Sequence, residues 1–398
     1  MKKPIRILLF SSLYPSSERP IHGIFVETRL RHLLASGHIE VFVVAPVPWF
    51  PFDNSFFGEW ARLAKTPRYE TLNNIPIAHP RYFLPPKVGM SIAPFLMSAF
   101  CLPTIRQIQK NFDFDIIDAH YFYPDGVAAA LIARSLDKPF VVTARGSDLN
   151  LISRYLIPRH LIRWAANRAS ASIGVCQALT NKLEDLGVDP SKIYVLRNGV
   201  DLGFFSPLNK NDARSSLGLS SGRWLISVGW LIESKGHAIA IKALPSLPGV
   251  NLAIIGEGVL LSDLQNLASQ LGLADRVRFL GSLPQSSLRD WYSAADALVL
   301  CSESEGWANV LLESLACGTP VVATNIGGIP EVIQDDVAGC LMTERSPNAL
   351  AISVLHLFSH YPHRDKVREY AESFGWDETT NRQLFLFNKI ISKHLNLP

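Results

Sequence analysis

Short apolar runs, each followed by a turn and a helix-patterned stretch, recur along this chain in two series, and no other feature restricts the fold so strongly. The first series is "IRILLFSS", "IEVFVVAP", "FDIIDAHY", "PFVVTARG" and "ASIGVC", interleaved with stretches such as "VETRLRHLLASG". Runs apolar on both faces and separated by helices predict parallel strands covered by helices on either side. After "VLRNGVDLGFFSP" the pattern resumes with "WLISVGW", "NLAIIGEG", "VRFLGSL", "ALVLCSES" and "PVVATNIG". An α/β fold of two doubly wound, Rossmann-like domains follows, since 398 residues exceed what one core organises. The expected boundaries are 1–200, 201–375 and a terminal helix, 376–398, whose Leu384, Phe387, Ile390 and Ile391 share a face and return it to the first domain.

Five scattered cysteines, with no paired or His-rich spacing, read as reduced and mostly buried thiols rather than zinc ligands. The apolar run at residues 7–10 is too short for a secretory signal core and reads as a first strand, so the expected location is the cytoplasm. Residues 88–105 are uncharged and of transmembrane length, yet Pro94, Pro103 and Gly89 predict a broken, buried or interfacial helix between domains. Charge is uneven: residues 1–200 hold 23 Lys and Arg against 15 Asp and Glu, and residues 201–398 hold 15 against 20. A basic half suits an anionic membrane surface, a phosphorylated acceptor or nucleic acid, and equally an ordinary solvated surface.

In open parallel sheets ligands bind beyond the carboxyl ends of the strands. There this chain places Gly23, His120, Asp148, Gly229, Lys235, Gly256, Gly258 and Glu305. The stretch "ESEGWANVLLE" predicts a helix opening near Gly306 and ending at Gly318, with Glu305 at its mouth and Glu313 inside it. On a continuous helix the two carboxylates would stand roughly 12 Å apart along the axis, the span of a nucleotide-sugar. Backbone N–H groups of Gly306, Trp307 and Ala308 would then face a diphosphate. The same spacing also suits a capping carboxylate followed by an exposed helical glutamate.

Several motifs in one order resemble the retaining GT-B glycosyltransferases of family four: "EGWANVLLE", "ACGTPVVAT", "GGIPEVI", "NGVD", "SVGWLIESKG", "IIGEG", "DAHYFYPDG" and "TARGSDLN". The resemblance spans nearly the whole chain and implies two domains facing across a cleft. It implies that Glu305 holds donor-sugar hydroxyls, Glu313 the nucleotide ribose and Lys235 the diphosphate. Gly23, Gly229, Gly258, Gly306, Trp307 and Ala308 would line the donor, and His120 would contact the sugar. Asp148 reads equally as a site residue or a turn cap. The implied substrate is a nucleotide-diphosphate sugar; the implied acceptor is a saccharide, lipid-linked or other hydroxyl, with no cofactor and no nucleic acid partner.

Two positions depart from the pattern. Trp230 stands where the family usually has Arg, and Arg145 where many relatives have His, so Arg145 is a candidate replacement cation. No Asp-x-Asp sits at a strand end, and Asp335–Asp336 reads as a solvent-facing loop, so no metal is expected. The alternatives are a non-catalytic nucleotide-sugar binding protein and a sugar-nucleotide epimerase. A pyridoxal phosphorylase would need a longer chain, and a redox dinucleotide enzyme lacks GxGxxG after the first strand. Residues 151–168 interleave Arg154, Arg159, Arg163 and Arg168 with Leu156, Leu161, Ile162 and Trp164. Pro158 is expected to divide that stretch into two helices, which form either a core helix with a solvated edge or a face lying on an anionic inner leaflet.

Overall fold

The computed structural model describes residues 3–85 and 89–395, and its chain forms two compact units. One unit runs to Arg197 and takes in the chain again from Asp377; the other is Asn198–Trp376. Among the described residues the first unit has an eight-stranded sheet in the order Ile193–Val195, Ala171–Gly174, Phe140–Ala144, Ile116–His120, Ile5–Phe10, Ile39–Val44, Ile75–Ala78, Tyr69–Leu72. All neighbours are parallel except the last pair. The second unit has six parallel strands: Val277–Phe279, Val250–Ile255, Arg223–Val228, Ala297–Leu300, Val321–Thr324, Gly339–Met342.

The antiparallel edge Tyr69–Leu72/Ile75–Ala78 has no counterpart in the apolar runs. It is a hairpin turned by Asn73 and Asn74, both left-handed at φ 51° and 62°, the geometry that Asn tolerates in a two-residue turn. Tyr69–Leu72 buries no residue fully, whereas Ile75, Ile77 and Ala78 of its partner are buried.

Two expectations about proline fail. The helix Gly89–Asn111 continues through Pro94 and Pro103. Pro94 lies within its first two turns, and both the Pro94 ring and the stripe Met97, Cys101, Ile105 and Ile108 are buried; packing on the helix Val127–Leu136 outweighs the lost backbone bonds. Residue 88 lies outside the described residues. By length and composition this helix could cross a membrane, and a third of its most apolar window, 33%, is buried in the first unit. Pro158 likewise does not divide its stretch: it falls in the first turn of Leu156–Arg168, where its missing N–H has no partner to lose. All five cysteines are thiols, four of them buried.

The terminal helix Trp376–His394 gives Leu384, Leu386, Phe387 and Ile390 to the same core as Ile7, Leu9, Val26 and Leu30. Gln383 on it accepts from buried Arg29 Nε at 2.7 Å and donates to Asp118 Oδ2 at 3.2 Å. Phe387→Ala should therefore destabilise the first unit by about 3–5 kcal/mol. The check is urea unfolding; a loss under about 1 kcal/mol would mean the helix is not part of that core.

Candidate functional site

In the second unit strand order reverses between Arg223–Val228 and Ala297–Leu300, the kind of position where an open sheet leaves a crevice. The loops leaving these strands carry Lys235 and Glu305. Lys235 ends the tight turn Glu233–Lys235, and Gly236 follows at φ 71°. A Cβ there would stand 2.2 Å from the Cys301 carbonyl oxygen, so only glycine lets the loops meet. Glu303 N donates to Ser234 O at 2.7 Å across the same seam. As a result Lys235 Nζ donates to Glu305 Oε1 at 2.6 Å, and Ser302 Oγ donates to that oxygen at 2.7 Å. The two charged side chains are 24% and 11% exposed, so solvent screens this pair less than a surface pair.

The helix after Glu305 is shorter than its composition predicts. It spans Asn309–Ala316 with Ala308 as N-cap, and Glu305, Gly306 and Trp307 lie in the preceding loop. The axial distance expected between Glu305 and Glu313 therefore does not apply. The reason is tertiary: Gly328 N donates to Gly306 O at 3.2 Å, drawing the 303–308 backbone toward the turn at 326–328 and out of helical register. Trp307 and Ala308 are buried, and the Trp307 ring lies 6.5 Å from Phe374, which leaves backbone rather than indole to meet a ligand. The predicted end holds, with Gly318 closing the helix in the left-handed region.

Glu313 is half-buried and accepts from the Tyr292 hydroxyl at 2.8 Å. Burial pushes its carboxyl up from 4.5 to about 7, against the opposing pull of the Tyr292 hydrogen bond. Tyr292 sits in the apolar pattern "DWYSAADALVL" and reads from sequence as core; only its hydroxyl contact marks it. Gly229 and Gly258 let two loops lie against each other: Gly229 N donates to Ile255 O at 2.9 Å, and Leu231 N to Glu257 O at 2.8 Å. The Trp230 indole is 55% exposed. His237, overlooked at the sequence level, is buried between Ser227 Oγ at 2.9 Å and the Trp230 carbonyl at 3.2 Å, and burial lowers its pKa to about 4. Arg345, also overlooked, donates to Cys301 O and Glu233 O at 2.8 and 3.2 Å and braces both loops from behind.

In the first unit the reversal lies between Ile5–Phe10 and Ile116–His120. Gly23, at φ 69°, opens the helix Ile24–Ala35, and a Cβ on it would stand 2.3 Å from the Leu13 carbonyl. Its close approach is thus to the chain's own backbone. Buried His120 has Nδ1 2.6 Å from Arg145 Nη2 and Nε2 3.3 Å from Asp118 Oδ2. Burial first, with Arg145 adding to it and Asp118 opposing, lowers the His120 pKa to about 4. The neutral ring accepts from Arg145 and donates to Asp118. Arg145 is half-buried and lies over the Phe25 ring at 5.3 Å. Asp148 spends its carboxylate on backbone: Oδ2 accepts from Phe122 N and Oδ1 from Gly146 N, each at 2.8 Å, the pattern of a loop cap. Asp125, overlooked in the sequence, accepts from both Ser12 N and Ser12 Oγ, and burial raises its pKa to about 7. Among the described residues no three His, Cys, Asp or Glu side chains group in a way that could hold a metal ion.

Two family models cover most of the chain. Glycosyl transferases group 1 matches residues 209–374, and Glycosyltransferase Family 4 matches residues 22–204. Over 361 residues the chain is 30% identical to the "Putative teichuronic acid biosynthesis glycosyltransferase TuaC" of Bacillus subtilis, covering 88% of each. It is 27% identical over 397 residues to D-inositol 3-phosphate glycosyltransferase 1 of Catenulispora acidiphila, covering 92% of this chain and 90% of that one. Among solved structures, sucrose-phosphate synthase from Thermosynechococcus elongatus superposes at TM-score 0.79 and 18% identity, over 98% of this chain and 100% of that one. Anabaena Alr3699/HepE in complex with UDP and glucose gives 0.74 and 20%, over 97% and 100%.

The raised carboxyls yield a test of sign. Glu313 and Asp125 hold protons more tightly folded than unfolded, so their contribution is fully present below about pH 4 and is lost as pH rises toward and through about 7. Glu313→Gln keeps an acceptor for Tyr292 and removes its share of that loss. Between pH 5 and 8 the variant should lose less stability than wild type, by up to about 3 kcal/mol. Parallel stability profiles from urea titrations would show that Glu313 titrates normally.

Proposed function

The chain belongs to the glycosyltransferases of group 1 and family 4, and from that premise we propose that it moves a hexosyl group from a nucleoside-diphosphate sugar to an acceptor hydroxyl with retention of anomeric configuration. The observation that carries this is the Lys235–Glu305 pair at the strand-order reversal of the second unit. Departure of the nucleoside diphosphate is the costly event, and it builds negative charge on the leaving oxygens. Lys235 is the fixed cation for that charge, and the backbone N–H groups of residues 306–308 are the neutral donors. Glu305 holds Lys235 in place and, with its other oxygen, accepts from hydroxyls of the donor sugar. Glu313 takes the ribose.

No step needs a nucleophile from the protein: the departing phosphate takes the acceptor's proton as the acceptor oxygen enters on the same face. Nor is a divalent ion assigned a role, since Lys235 supplies positive charge at the diphosphate. A nucleotide-sugar donor is supported by Anabaena Alr3699/HepE, whose structures hold UDP, glucose and UDP-glucose. An acceptor in cell-surface polysaccharide or glycolipid synthesis is supported by the relative named for teichuronic acid biosynthesis. A nucleotide-sugar binding protein without turnover is the second reading, favoured by Trp230, whose exposed indole brings no charge to a diphosphate.

A thermal-shift panel of nucleotide-sugars identifies the donor, because a ligand bound only by the folded chain raises its melting point with saturation. With that donor, Glu305→Gln should cost about 2–4 kcal/mol of transition-state stabilisation while leaving affinity for the nucleoside diphosphate unchanged or tighter, since a nearby anion is gone. Near-normal turnover by folded Glu305→Gln removes this residue from the reaction. Lys235→Ala should weaken both donor binding and turnover, and a chelator should change neither. Restoration of chelated enzyme by Mg²⁺ or Mn²⁺ would overturn the metal-free mechanism. The product's anomeric configuration, read by NMR, decides retention; donor binding with no transfer or hydrolysis decides for the binding protein.

A further inference from the structure

The first unit leaves uncovered an apolar surface that the transfer reaction does not use. Beyond the strand Ile39–Val44 the chain enters "WFPFDNSFFGEW", residues 49–60, where Phe50 gathers Phe52, Phe57 and Trp60 at ring distances of 5.3–5.8 Å. This cluster faces solvent: Phe56 is 88% exposed, and Phe52 and Trp60 are exposed as well. Trp49 links it onward: its backbone N–H donates to Tyr82 O at 2.7 Å, and its ring lies 6.5 Å from the Phe83 ring.

The surface continues onto the opening turns of Gly89–Asn111. Ile92 and Phe95 are exposed on the side turned away from the buried stripe of that helix, and Met90 is exposed in its first turn. The Met90 carbonyl accepts from the Tyr123 hydroxyl, and the helix packs beside Leu156–Arg168. There Leu156 is 74% exposed, with Tyr155 and Ile157 beside it. Flanking that tip, Arg154 and Arg159 are exposed, and residues 151–168 contain no Asp or Glu. Arg62, Lys65 and Arg68 follow the aromatic cluster, against Asp53 and Glu59.

We infer that this face, made by residues 49–60 and the opening turns of Gly89–Asn111 and Leu156–Arg168, seats on an anionic lipid bilayer, its aromatic and aliphatic side chains entering the interface and its arginines meeting headgroup phosphates. Three observations favour lipid over other occupants. Aromatic rings mixed with aliphatic tips and flanked by cations have the composition that partitions into the headgroup boundary. Arg154 and Arg159, in a stretch without a carboxylate, complement an anionic leaflet, where each adds attraction that salt screens. A second copy seated symmetrically on the same face would bring those arginines against their own equivalents. The long helix lies along the surface and does not cross it, because its buried stripe is committed to Val127–Leu136.

The test uses the full chain and needs no transfer activity, so it stands or falls separately from the donor chemistry. Sucrose-loaded vesicles of phosphatidylcholine alone, or mixed with phosphatidylglycerol, are sedimented with wild type, Phe56→Ser/Trp60→Ser, Leu156→Ser/Ile157→Ser and Arg154→Glu/Arg159→Glu. Wild type should sediment with the anionic vesicles, less at high salt, and hardly with neutral ones. Each pair should lower the partition coefficient by about tenfold or more. Because these side chains are exposed, far-UV circular dichroism melts should match wild type and show that the loss is not unfolding. Equal recovery of wild type from neutral and anionic vesicles, or apolar variants that bind as wild type does, would overturn the inference. So would a lipid-free dimer in sedimentation velocity that the apolar pairs dissociate while vesicles recover nothing; the face would then belong to a second copy.

Discussion

Two strands that touch in the second sheet but are separated in the chain by two further strands and their helices, Arg223–Val228 and Ala297–Leu300, govern where charge can meet in that unit. Parallel pairing fixes both strand ends at one edge, and a right-handed crossover on either side opens the gap between them. Everything chemical there is then a matter of backbone reach. The loops are joined by N–H···O bonds, by a glycine with no Cβ to obstruct them, and by Arg345 capping two carbonyls behind them. Lys235 and Glu305, seventy positions apart in the chain, thus arrive within hydrogen-bond distance with little freedom left to lose.

The first unit handles buried charge differently. Arg29 and Asp118 are almost wholly removed from water, and Gln383 stands between them, taking a hydrogen bond from one and giving one to the other. A buried ion pair recovers its desolvation only when its polar atoms are well placed, and the amide does part of that placing. Burial, with Arg145 adding to it against the opposing pull of Asp118, keeps His120 neutral. Above about pH 4 the ring therefore keeps the tautomer that accepts from Arg145 and donates to Asp118.

Periodicity made the two sheets legible, since buried parallel strands are the most distinctive local signal a chain carries. The hairpin at Asn73–Asn74 was not legible as a continuous apolar run because its edge strand, Tyr69–Leu72, mixes polar with apolar side chains and buries none of them fully. Helix limits were less legible still. The residues of "EGWAN" have nothing against helix, and only a hydrogen bond from Gly328 far along the chain withdraws them. Pro94 and Pro103 show the same override in the opposite direction, whereas Pro158 is accommodated locally in a first turn. Glu305 and Lys235 could be named from motif order, but Tyr292, His237 and Asp125 could not. Their spacing is that of ordinary core or turn residues, and what distinguishes them is the partner each one meets.

The terminal helix gives the molecule an order of assembly. Its Phe387 and Ile390 belong to a core whose other members, Ile7 and Val26 among them, leave the ribosome several hundred residues earlier. The first unit is thus discontinuous in the chain, and it must wait with part of its apolar surface uncovered while the whole of Asn198–Trp376 is made. That intervening unit is continuous and can close on its own contacts first. Until the last helix is made, the earliest strands lack the cover of Leu384, Leu386, Phe387 and Ile390, so the part of the core synthesised first is the part completed last.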